Sequence, residues 1–249
     1  MISFIVCAFN EEGHLKPTVE TIHQAIEETG LADYEIIFVD DGSSDNTASE
    51  IAELASCNKN IRIFRNPRNL GLGVSMRLGI SKAEKPSFMM VPGDNDMSLS
   101  MIKMLLICRN EADIVIAVPF NKERRTLVRN VISIIYQLIY LVTFRVYAGY
   151  ITGPGIWPVA LARSLSLKSS RFGIMSELNV KMLCSDSSYT EIPGYVQAGT
   201  KARSTITLRN LSEVAASFIQ LFLDIYVFER RRFRSRARRH QIDFIKYIK

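Results

Sequence analysis

Five short apolar runs in the first half of the chain have the length and composition of buried β-strands. They are five to seven residues long, contain several Ile, Val, Met or Phe residues, and are bounded by polar or glycine-containing segments. The predicted strands are 2–8 (ISFIVCA), 34–40 (YEIIFVD), 61–65 (IRIFR), 87–91 (SFMMV) and 113–118 (DIVIAV).

Amphipathic stretches with helical periodicity lie between these runs. Residues 17–29 end at Gly30, a natural helix terminator, Asp45 precedes a second stretch, and residues 72–83 form a third. Alternating strands and helices predict an α/β fold with a mostly parallel sheet and helices on both faces. Ligands of such sheets bind beyond the carboxyl ends of the strands, so the loops at those ends are the first candidates for a site.

Polar, acidic loops follow three of the predicted strands. FNEE (9–12) follows the first strand, DDGSSDNT (40–47) the second and GDND (93–96) the fourth. The sequence has neither G-x-G-x-x-G after the first strand nor a G-x-x-x-x-G-K-[ST] loop. Dinucleotide binding and the P-loop type of triphosphate binding are therefore disfavoured.

Asp94 and Asp96 stand one residue apart directly after an apolar run. Two carboxylates at this spacing repel each other unless positive charge lies between them. One interpretation is a solvated turn, because Gly, Asp and Asn are common turn residues. The other is a site for Mg²⁺ or Mn²⁺, which prefer oxygen ligands.

The amino-acid composition limits the number of domains and the kinds of site that the protein can contain. The 249 residues are 47% hydrophobic, enough for one large domain with a full core and an appendage. The four cysteines are scattered and there are three histidines, which disfavours a disulfide framework, a zinc site and a histidine-based triad. No signal peptide is expected before the first strand, and the cysteine usage is typical of a reducing cytosol.

The net charge of +6 is concentrated at the C-terminal end of the chain. Residues 229–249 carry nine Lys/Arg and two Asp/Glu, whereas the rest carries 22 Lys/Arg and 23 Asp/Glu. Seven arginines between 230 and 239 predict a segment that is solvated or lies on an anionic partner. Nucleic acid is the less favoured partner, because the body does not interleave aromatic with basic residues.

The motifs CAFNEE, VDDGSSDNT, NLGLGVSMRLGI and GDND, in this order, resemble the inverting family-two glycosyltransferases. Within that family the chain resembles dolichol-phosphate mannose synthase and the bacterial polyprenyl-phosphate sugar transferases. The resemblance covers roughly residues 1–205 and implies the GT-A fold for that part. Residues 206–249 are then predicted as a C-terminal amphipathic helix and an arginine-rich tail.

The resemblance implies a set of donor-site residues and a divalent metal, Mg²⁺ or Mn²⁺. Asp94 and Asp96 match the Asp-x-Asp of the family, which holds the metal against the donor diphosphate, and Asp96 is a predicted catalytic residue. Phe9 is expected either to stack on the base or ribose or to be a core aromatic, and Asp40 either contacts the nucleotide or caps a turn. The implied nucleotide-sugar-binding residues are Ala8, Phe9, Asn10, Glu11, Asp40, Asp41 and Asp94.

The acceptor side departs more from the family. Glu177 resembles the glutamate of the family's helix beside the donor sugar and is a predicted catalytic residue, with a solvated helix-face acid as the alternative. Lys201 and Arg203 are the predicted acceptor-phosphate residues. The departures are Gln197 in place of an arginine, Ser98 in place of a glutamine, and YITGPG (150–155) where many relatives have an aspartate.

Two apolar stretches, 131–144 and 214–228, are 14 and 15 residues long, which is short of the roughly 20 residues that a membrane span needs. Each is predicted either as a core helix or as an interfacial helix in the headgroup region; the first would extend over 126–146. The expected location is therefore peripheral, on the cytosolic face of a membrane, and a homo-oligomer is the alternative use of these surfaces.

The predicted function is metal-dependent transfer of a sugar, with inversion, from a UDP- or GDP-sugar to a polyprenyl or dolichyl phosphate. An ionised phosphate acceptor needs no strong general base, which suits the missing aspartate at 150–155. The alternatives are transfer to a saccharide hydroxyl in surface-polysaccharide assembly, and a non-catalytic nucleotide-sugar-binding or scaffold protein.

Overall fold

The structure is a computed structural model that describes residues 1–119, 127–171, 173–195 and 208–243. Within these residues, eight strands form one mixed sheet in the order β3-β2-β1-β4-β6-β5-β7-β8. The strands are β1 (Ile2–Ala8), β2 (Tyr34–Asp40), β3 (Ile61–Arg65), β4 (Ser87–Pro92), β5 (Ile114–Pro119), β6 (Gly155–Pro158), β7 (Ser188–Gly194) and β8 (Arg238–Arg239).

All five predicted strands are confirmed, each within one residue at either end. The sheet is mostly parallel, and β6 is the strand that runs antiparallel to both of its neighbours, β4 and β5. The predicted α/β class is therefore confirmed. The reversed strand matters for the site, because β6 begins at the edge of the sheet where β4 ends.

Helices connect the strands and cover both faces of the sheet. The first ends where the sequence predicts, because Gly30 adopts a left-handed conformation with φ 63°. The helices are α1 (Leu15–Thr29), α2 (Thr47–Cys57), α3 (Leu72–Lys82), α4 (Leu99–Ile107), α5 (Leu127–Phe144), α6 (Val159–Ser164), α7 (Gly173–Leu183) and α8 (Leu208–Leu223), and a π-helical turn (Asp224–Phe228) continues α8.

The core has two layers, one on each face of the sheet. Alternate residues of β1 point to opposite layers, with Phe4 and Val6 on the face of α1 and α4, and Ile5 on the face of α3 and α7. Helix α7 is buried along its length from Ile174 to Leu183, and it carries Glu177 and Lys181 into the second layer.

The C-terminal segment, predicted to be solvated or to lie on an anionic partner, is docked on the domain. Leu221, Ile225 and Phe233 are buried in the same core layer as α7, and β8 extends the sheet next to β7. The backbone of Ala237 and His240 donates hydrogen bonds to Leu183 and Tyr189. The segment is docked because its apolar residues and its backbone N–H groups both find partners on the domain, although most of its arginines remain exposed.

Both apolar stretches are helical, as predicted, and they pack against each other. Phe218 of α8 lies edge-on to Tyr140 and Phe144 of α5, with ring centroids 5.1 and 5.4 Å apart. In the described part of the chain, none of the helices combines the length and apolar character that crossing a bilayer requires.

Candidate active site

The three acidic loops meet at the carboxyl edge of the sheet, as predicted from their positions after strands. Asp41 N donates to Ala8 O over 2.8 Å, which joins the second loop to the end of β1. Gly93 N donates to Cys7 O over 3.2 Å, which joins the GDND loop to the same strand. The end of β1 is therefore the centre of the candidate site.

The loop after β1 is held in place by the loop after β2. Asn10 has a positive φ of 55°, its backbone N–H donates to Ser43 Oγ over 3.0 Å, and its side-chain oxygen accepts from Ser44 N over 2.9 Å. Phe9 is 40% exposed, so it is not the core aromatic of the alternative interpretation. Ala8 is buried at the end of β1, where its side chain belongs to the core and its backbone carbonyl accepts from Asp41 N.

Asp41 is fully engaged by protein groups. Its carboxylate accepts hydrogen bonds from Asn66 Nδ2 at 2.7 Å, from Leu70 N at 3.0 Å and from Gly71 N at 2.8 Å. Only 4% of the residue is exposed. Asp41 therefore fixes the turn at 66–71 that leads into α3.

One oxygen of Asp40 has an ion-pair partner but accepts no well-aligned hydrogen bond from the described residues. Its Oδ1 accepts from Ser43 N over 2.8 Å, which closes the turn after β2. Its Oδ2 is buried and accepts no hydrogen bond of good geometry from the described residues, although Arg65 Nε lies 3.0 Å away as an ion-pair partner. A buried polar atom without a hydrogen bond is costly, and such an atom at a ligand edge suits a donor supplied by a ligand.

The GDND loop makes a tight turn that presents two carboxylates. Asn95 has a φ of 57° and accepts a hydrogen bond from Thr21 of α1, so its side chain points to the protein. Asp94 is exposed, Asp96 is half-buried, and Asp96 N donates to Asp94 Oδ1 over 3.1 Å. A Cβ at Gly93 would lie 3.1 Å from Cys7 O, so a larger residue there would require the neighbouring groups to shift by a few tenths of an ångström.

This pair of carboxylates fits a metal ion whose ligands come partly from the protein and partly from a bound substrate. The described residues contain no group of three or more His, Cys, Asp or Glu side chains placed to hold a metal by themselves. Mg²⁺ is usually bound by one or two carboxylates together with substrate phosphates and water. Asp94 and Asp96 supply hard oxygen ligands of that number and kind.

Two of the departures from the family have structural explanations. Ser98 caps α4 by accepting from Met101 N over 3.2 Å, and it donates to Tyr195 O over 2.5 Å. The loop 150–154 lies at the carboxyl edge beside the end of β4, because β6 starts there. Asn179 of α7 holds it, donating to Ile151 O and Gly153 O over 2.9 and 3.1 Å.

Glu177 is buried, which excludes the solvated helix-face alternative. Its carboxylate accepts from Lys181 Nζ at 2.8 Å and from the backbone N–H groups of Lys168 and Ser169 at 2.7–3.1 Å. In this structure Glu177 therefore binds the segment before α7. Its predicted contact with a donor sugar stays a prediction.

The predicted acceptor residues Lys201 and Arg203, and Gln197 beside them, lie outside the described residues. Sequence reasoning missed Arg65 and Asn66, which contact Asp40 and Asp41 at the end of β3. Their position at the end of a predicted strand, Arg65 as its last residue and Asn66 as the next, was the signal that could have identified them. It also missed Lys181 and Asp224, for which no local pattern existed.

The fold is similar to that of glucosyl-3-phosphoglycerate synthase from Mycobacterium tuberculosis, in a crystal structure with Mg²⁺ and UDP. The TM-score is 0.64 at 16% identity, covering 89% of this chain and 79% of that one. Staphylococcus aureus TarS (residues 1–349) gives a TM-score of 0.52 at 15% identity over 90% of this chain and 72% of that one. The architecture is the GT-A fold.

The chain is also similar in sequence to curated glycosyltransferases. A dolichyl-phosphate beta-glucosyltransferase, ALG5D, from Trichomonas vaginalis is 29% identical over 157 residues, which are 57% of this chain and 48% of that protein. A cholesterol galactosyltransferase from Borreliella burgdorferi is 32% identical over 104 residues, 42% of this chain and 28% of that protein. The chain thus spans less than half the length of these curated relatives.

Residues 3–158 match the family described as Glycosyl transferase family 2. The match extends over more than half of the chain and includes all three acidic loops. The protein belongs to the glycosyl transferase family 2.

Proposed function

We propose that the protein is an enzyme that transfers a sugar, with inversion, from a UDP- or GDP-sugar to a polyprenyl or dolichyl phosphate, with the help of Mg²⁺ or Mn²⁺. The observation that carries the proposal is the carboxylate pair Asp94 and Asp96, presented at the carboxyl edge of a GT-A sheet on which Asp40 lies at the other side of β1.

The nucleotide is proposed to bind along the ends of β1 and β2. Asp40 Oδ2 can accept from a base N–H or a ribose hydroxyl, and the exposed ring of Phe9 can stack on either group. Asn10 and Glu11 lie in the same loop, and Ala8 contributes its backbone. Asp41 acts indirectly, because protein donors engage its carboxylate.

The metal is proposed to bind to Asp94 and Asp96. When bound, it would stabilise negative charge on the departing nucleoside diphosphate. Crystal structures of the mycobacterial synthase, which has a similar fold, contain UDP with Mg²⁺ or with Mn²⁺, which supports the use of a divalent metal.

In the proposed reaction an oxygen of the lipid phosphate attacks the anomeric carbon from the side opposite the leaving group. The new bond joins that oxygen to the anomeric carbon, while the bond to the nucleoside diphosphate breaks and takes the electron pair with it. The phosphate is already ionised at neutral pH, so the chain needs to orient it rather than deprotonate it. This suits the loop 150–154, which contains no acid.

The names of the relatives favour a lipid acceptor. Two of them are dolichyl-phosphate beta-glucosyltransferases, and a third is a cholesterol galactosyltransferase, whose acceptor is a lipid hydroxyl rather than a phosphate. Lys201 and Arg203 are proposed to bind the acceptor phosphate. Transfer to a saccharide hydroxyl is the less favoured alternative, because it would require a general base.

An apolar surface on α5 and α8 is proposed to bind the anionic face of a membrane, in line with a peripheral location on the cytosolic side. Seven apolar residues of α5 are between 44% and 71% exposed, and Val227 and Phe228 add to them at the end of the π-helical turn. Exposed arginines follow directly. The surface consists of Val131, Ile132, Ile134, Ile135, Leu138, Ile139, Val142, Ile219, Phe222, Val227 and Phe228, with Arg230, Arg231 and Arg234 beside it.

Replacing Ile135, Leu138 and Val142 together by Ser is expected to weaken binding to acidic phospholipid vesicles by at least tenfold in co-sedimentation. Each exposed aliphatic side chain that leaves water contributes roughly 1–2 kcal/mol. The matched control is Ile63→Ser on β3, which is also exposed but lies outside this surface. Truncation of the tail would be a poor test, because it removes the buried Phe233.

Equal sedimentation of the triple Ser variant and the wild type would contradict the membrane proposal. A dimer of the wild type that dissociates in the variant, measured by analytical ultracentrifugation without vesicles, would assign the surface to a second copy of the chain instead.

Donor binding is tested by calorimetric titration with UDP, GDP and ADP, each with and without Mn²⁺. We expect UDP or GDP to bind at least tenfold more tightly with Mn²⁺ than without it, and ADP to bind weakly in both conditions. Equal affinity with and without Mn²⁺, or affinities for UDP and GDP no higher than the affinity for ADP, would contradict the proposed donor site.

A further inference from the structure

Helix α7, the π-helical turn after α8 and the segment before α7 meet at a cluster of four charged side chains, of which three are buried and one, Lys168, is 41% exposed. Lys181 Nζ donates to Glu177 Oε1 at 2.8 Å, to Asp224 Oδ2 at 2.7 Å and to Ser166 O at 2.5 Å. Lys168 Nζ donates to Asp224 Oδ1 at 2.5 Å. Two carboxylates face two ammonium groups, so the cluster, defined as Lys168, Glu177, Lys181 and Asp224, has no net charge.

The cluster holds the backbone of residues 166–169 in place through hydrogen bonds. Glu177 accepts from the N–H groups of Lys168 and Ser169, and Lys181 donates to the carbonyl of Ser166. Buried charged groups that are all hydrogen-bonded hold their partners in one geometry. Burying the three charged groups Glu177, Lys181 and Asp224 is costly, and a helix that faced solvent would not incur this cost.

The segment 166–170 in turn contacts the start of α3, where residues 70–73 form a turn that contains Gly71 and Gly73. We call residues 70–73 the glycine turn. Gly73 N donates to Ser170 O over 2.8 Å, and Arg77 Nη1 donates to Ser169 O over 2.5 Å. A Cβ at Gly73 would lie 2.1 Å from Ser169 O, and one at Gly71 would lie 2.4 Å from Ser170 O. The two backbones therefore touch, and both glycines are required by this contact.

The glycine turn is also the part of the chain that binds Asp41. The N–H groups of Leu70 and Gly71 hold the Asp41 carboxylate at 3.0 and 2.8 Å, and Asp41 follows Asp40 at the donor edge. A continuous set of hydrogen bonds thus runs from the C-terminal helix, through the charged cluster and the 166–170 segment, to the loop that carries the proposed nucleotide-binding residue.

We propose that Glu177 is a positioning residue and that, with Lys181 and Asp224, it holds the 166–170 segment and the glycine turn in the geometry that the donor site requires. Glu177 would then act on nucleotide affinity, in place of the catalytic contact with the sugar that its sequence position suggests. The effect on affinity rests on the proposed function, whereas the ordering of the glycine turn does not.

Glu177→Gln tests the proposal, because an amide of the same shape offers one acceptor oxygen instead of two and places its NH₂ group against backbone N–H donors. Leu178→Ala is the matched control, since Leu178 is fully buried in the same helix and Ala removes packing without touching the cluster. Both variants are measured at a temperature at which they remain folded, by calorimetric titration with UDP and GDP in Mn²⁺ and by amide hydrogen exchange.

We expect Glu177→Gln to weaken nucleotide binding roughly tenfold, in the range of one lost charged hydrogen bond. The amides of residues 70–73 should exchange at least tenfold faster than in the wild type. Leu178→Ala should lower the melting temperature but leave both quantities within twofold. Charge-balanced Glu177→Gln/Lys181→Met should recover stability relative to Lys181→Met alone, because it does not leave an uncompensated carboxylate.

Each outcome decides a separate point. Unchanged exchange at 70–73 in Glu177→Gln, or an equal change in Leu178→Ala, would overturn the positioning role. If Glu177→Gln exchanged faster at residues 70–73 and turned over more slowly but kept the nucleotide affinity of the wild type, the result would support a catalytic role for Glu177 instead. If the wild type bound neither UDP nor GDP, the proposed function would fail, and the exchange experiment would still decide whether Glu177 orders the turn.

Discussion

Replacing Asp96 by Ala is expected to abolish the Mn²⁺-stimulated part of nucleotide binding and to lower sugar transfer by roughly a hundredfold or more. The reason is electrostatic: a preorganised group that stabilises charge on a leaving group typically contributes about 10²–10³ in rate. The fold should persist, because Asp96 lies half-buried in a loop and belongs to neither core layer. Calorimetric titration and a transfer assay measure the two effects.

Asp186→Ala is the matched control for this prediction. Asp186 is an exposed loop acid before β7, at the opposite edge of the sheet from the acidic loops. Its replacement should change neither the Mn²⁺ dependence nor the rate. An Asp96→Ala variant that kept the Mn²⁺-dependent affinity of the wild type would refute the assignment of the metal to this loop.

Lys181→Met is expected to lower the free energy of unfolding by about 3–5 kcal/mol, the largest stability loss predicted for a single side chain. Lys181 is fully buried and compensates Glu177 and Asp224, so its removal leaves a buried carboxylate charge without its partner. Urea unfolding at pH 7 measures the loss. A decrease below about 1 kcal/mol would show that the cluster contributes little to stability.

Lys168→Met provides the control within the same cluster. Its side chain is 41% exposed, so water can replace its bond to Asp224, and the expected loss is about 1 kcal/mol or less. A loss in Lys168→Met as large as that in Lys181→Met would mean that burial is not what makes Lys181 important.

The stability that the cluster supplies should depend on pH in a definite direction. Burial raises the pKa of the Asp224 carboxyl, but hydrogen bonds from Lys168 and Lys181 outweigh it, so the net pKa lies below the ordinary 3.8. A depressed carboxyl pKa stabilises the fold above the unfolded pKa, and this contribution is lost as the pH falls through the folded pKa. The difference in stability between the wild type and Lys181→Met should therefore shrink on acidification from pH 7.

The pattern of apolar and polar residues along the chain predicted the strands β1 to β5, because each of them is a short apolar run between helices. The strands β6, β7 and β8 were not predicted. Residues 155–158 (GIWP) are too few for a periodic pattern, and Arg238–Arg239 read as a charged tail. These two segments are strands because the edges of neighbouring strands offer backbone partners, which is information that their own residues do not carry.

The same limit applies to the candidate site. The three acidic loops could be placed together because parallel strands end at a common edge. The different roles of Asp40, the proposed nucleotide contact, and Asp41, which binds protein groups, could not be predicted. They depend on Asn66 and on the glycine turn, 25 to 30 residues beyond Asp41 in the chain. Likewise, Glu177 is paired with a lysine one helical turn away, and that lysine also binds an aspartate 43 residues further along the chain.

The central claim is most directly tested by incubating the protein with labelled UDP- and GDP-sugars, Mn²⁺ and a polyprenyl phosphate in detergent, and analysing the products by mass spectrometry and NMR. The expected result is a polyprenyl-phosphate sugar whose anomeric configuration is opposite to that of the donor, formed by the wild type and lost in Asp96→Ala. Formation of a product with retained configuration, or transfer only to a saccharide hydroxyl offered in parallel, would contradict the account.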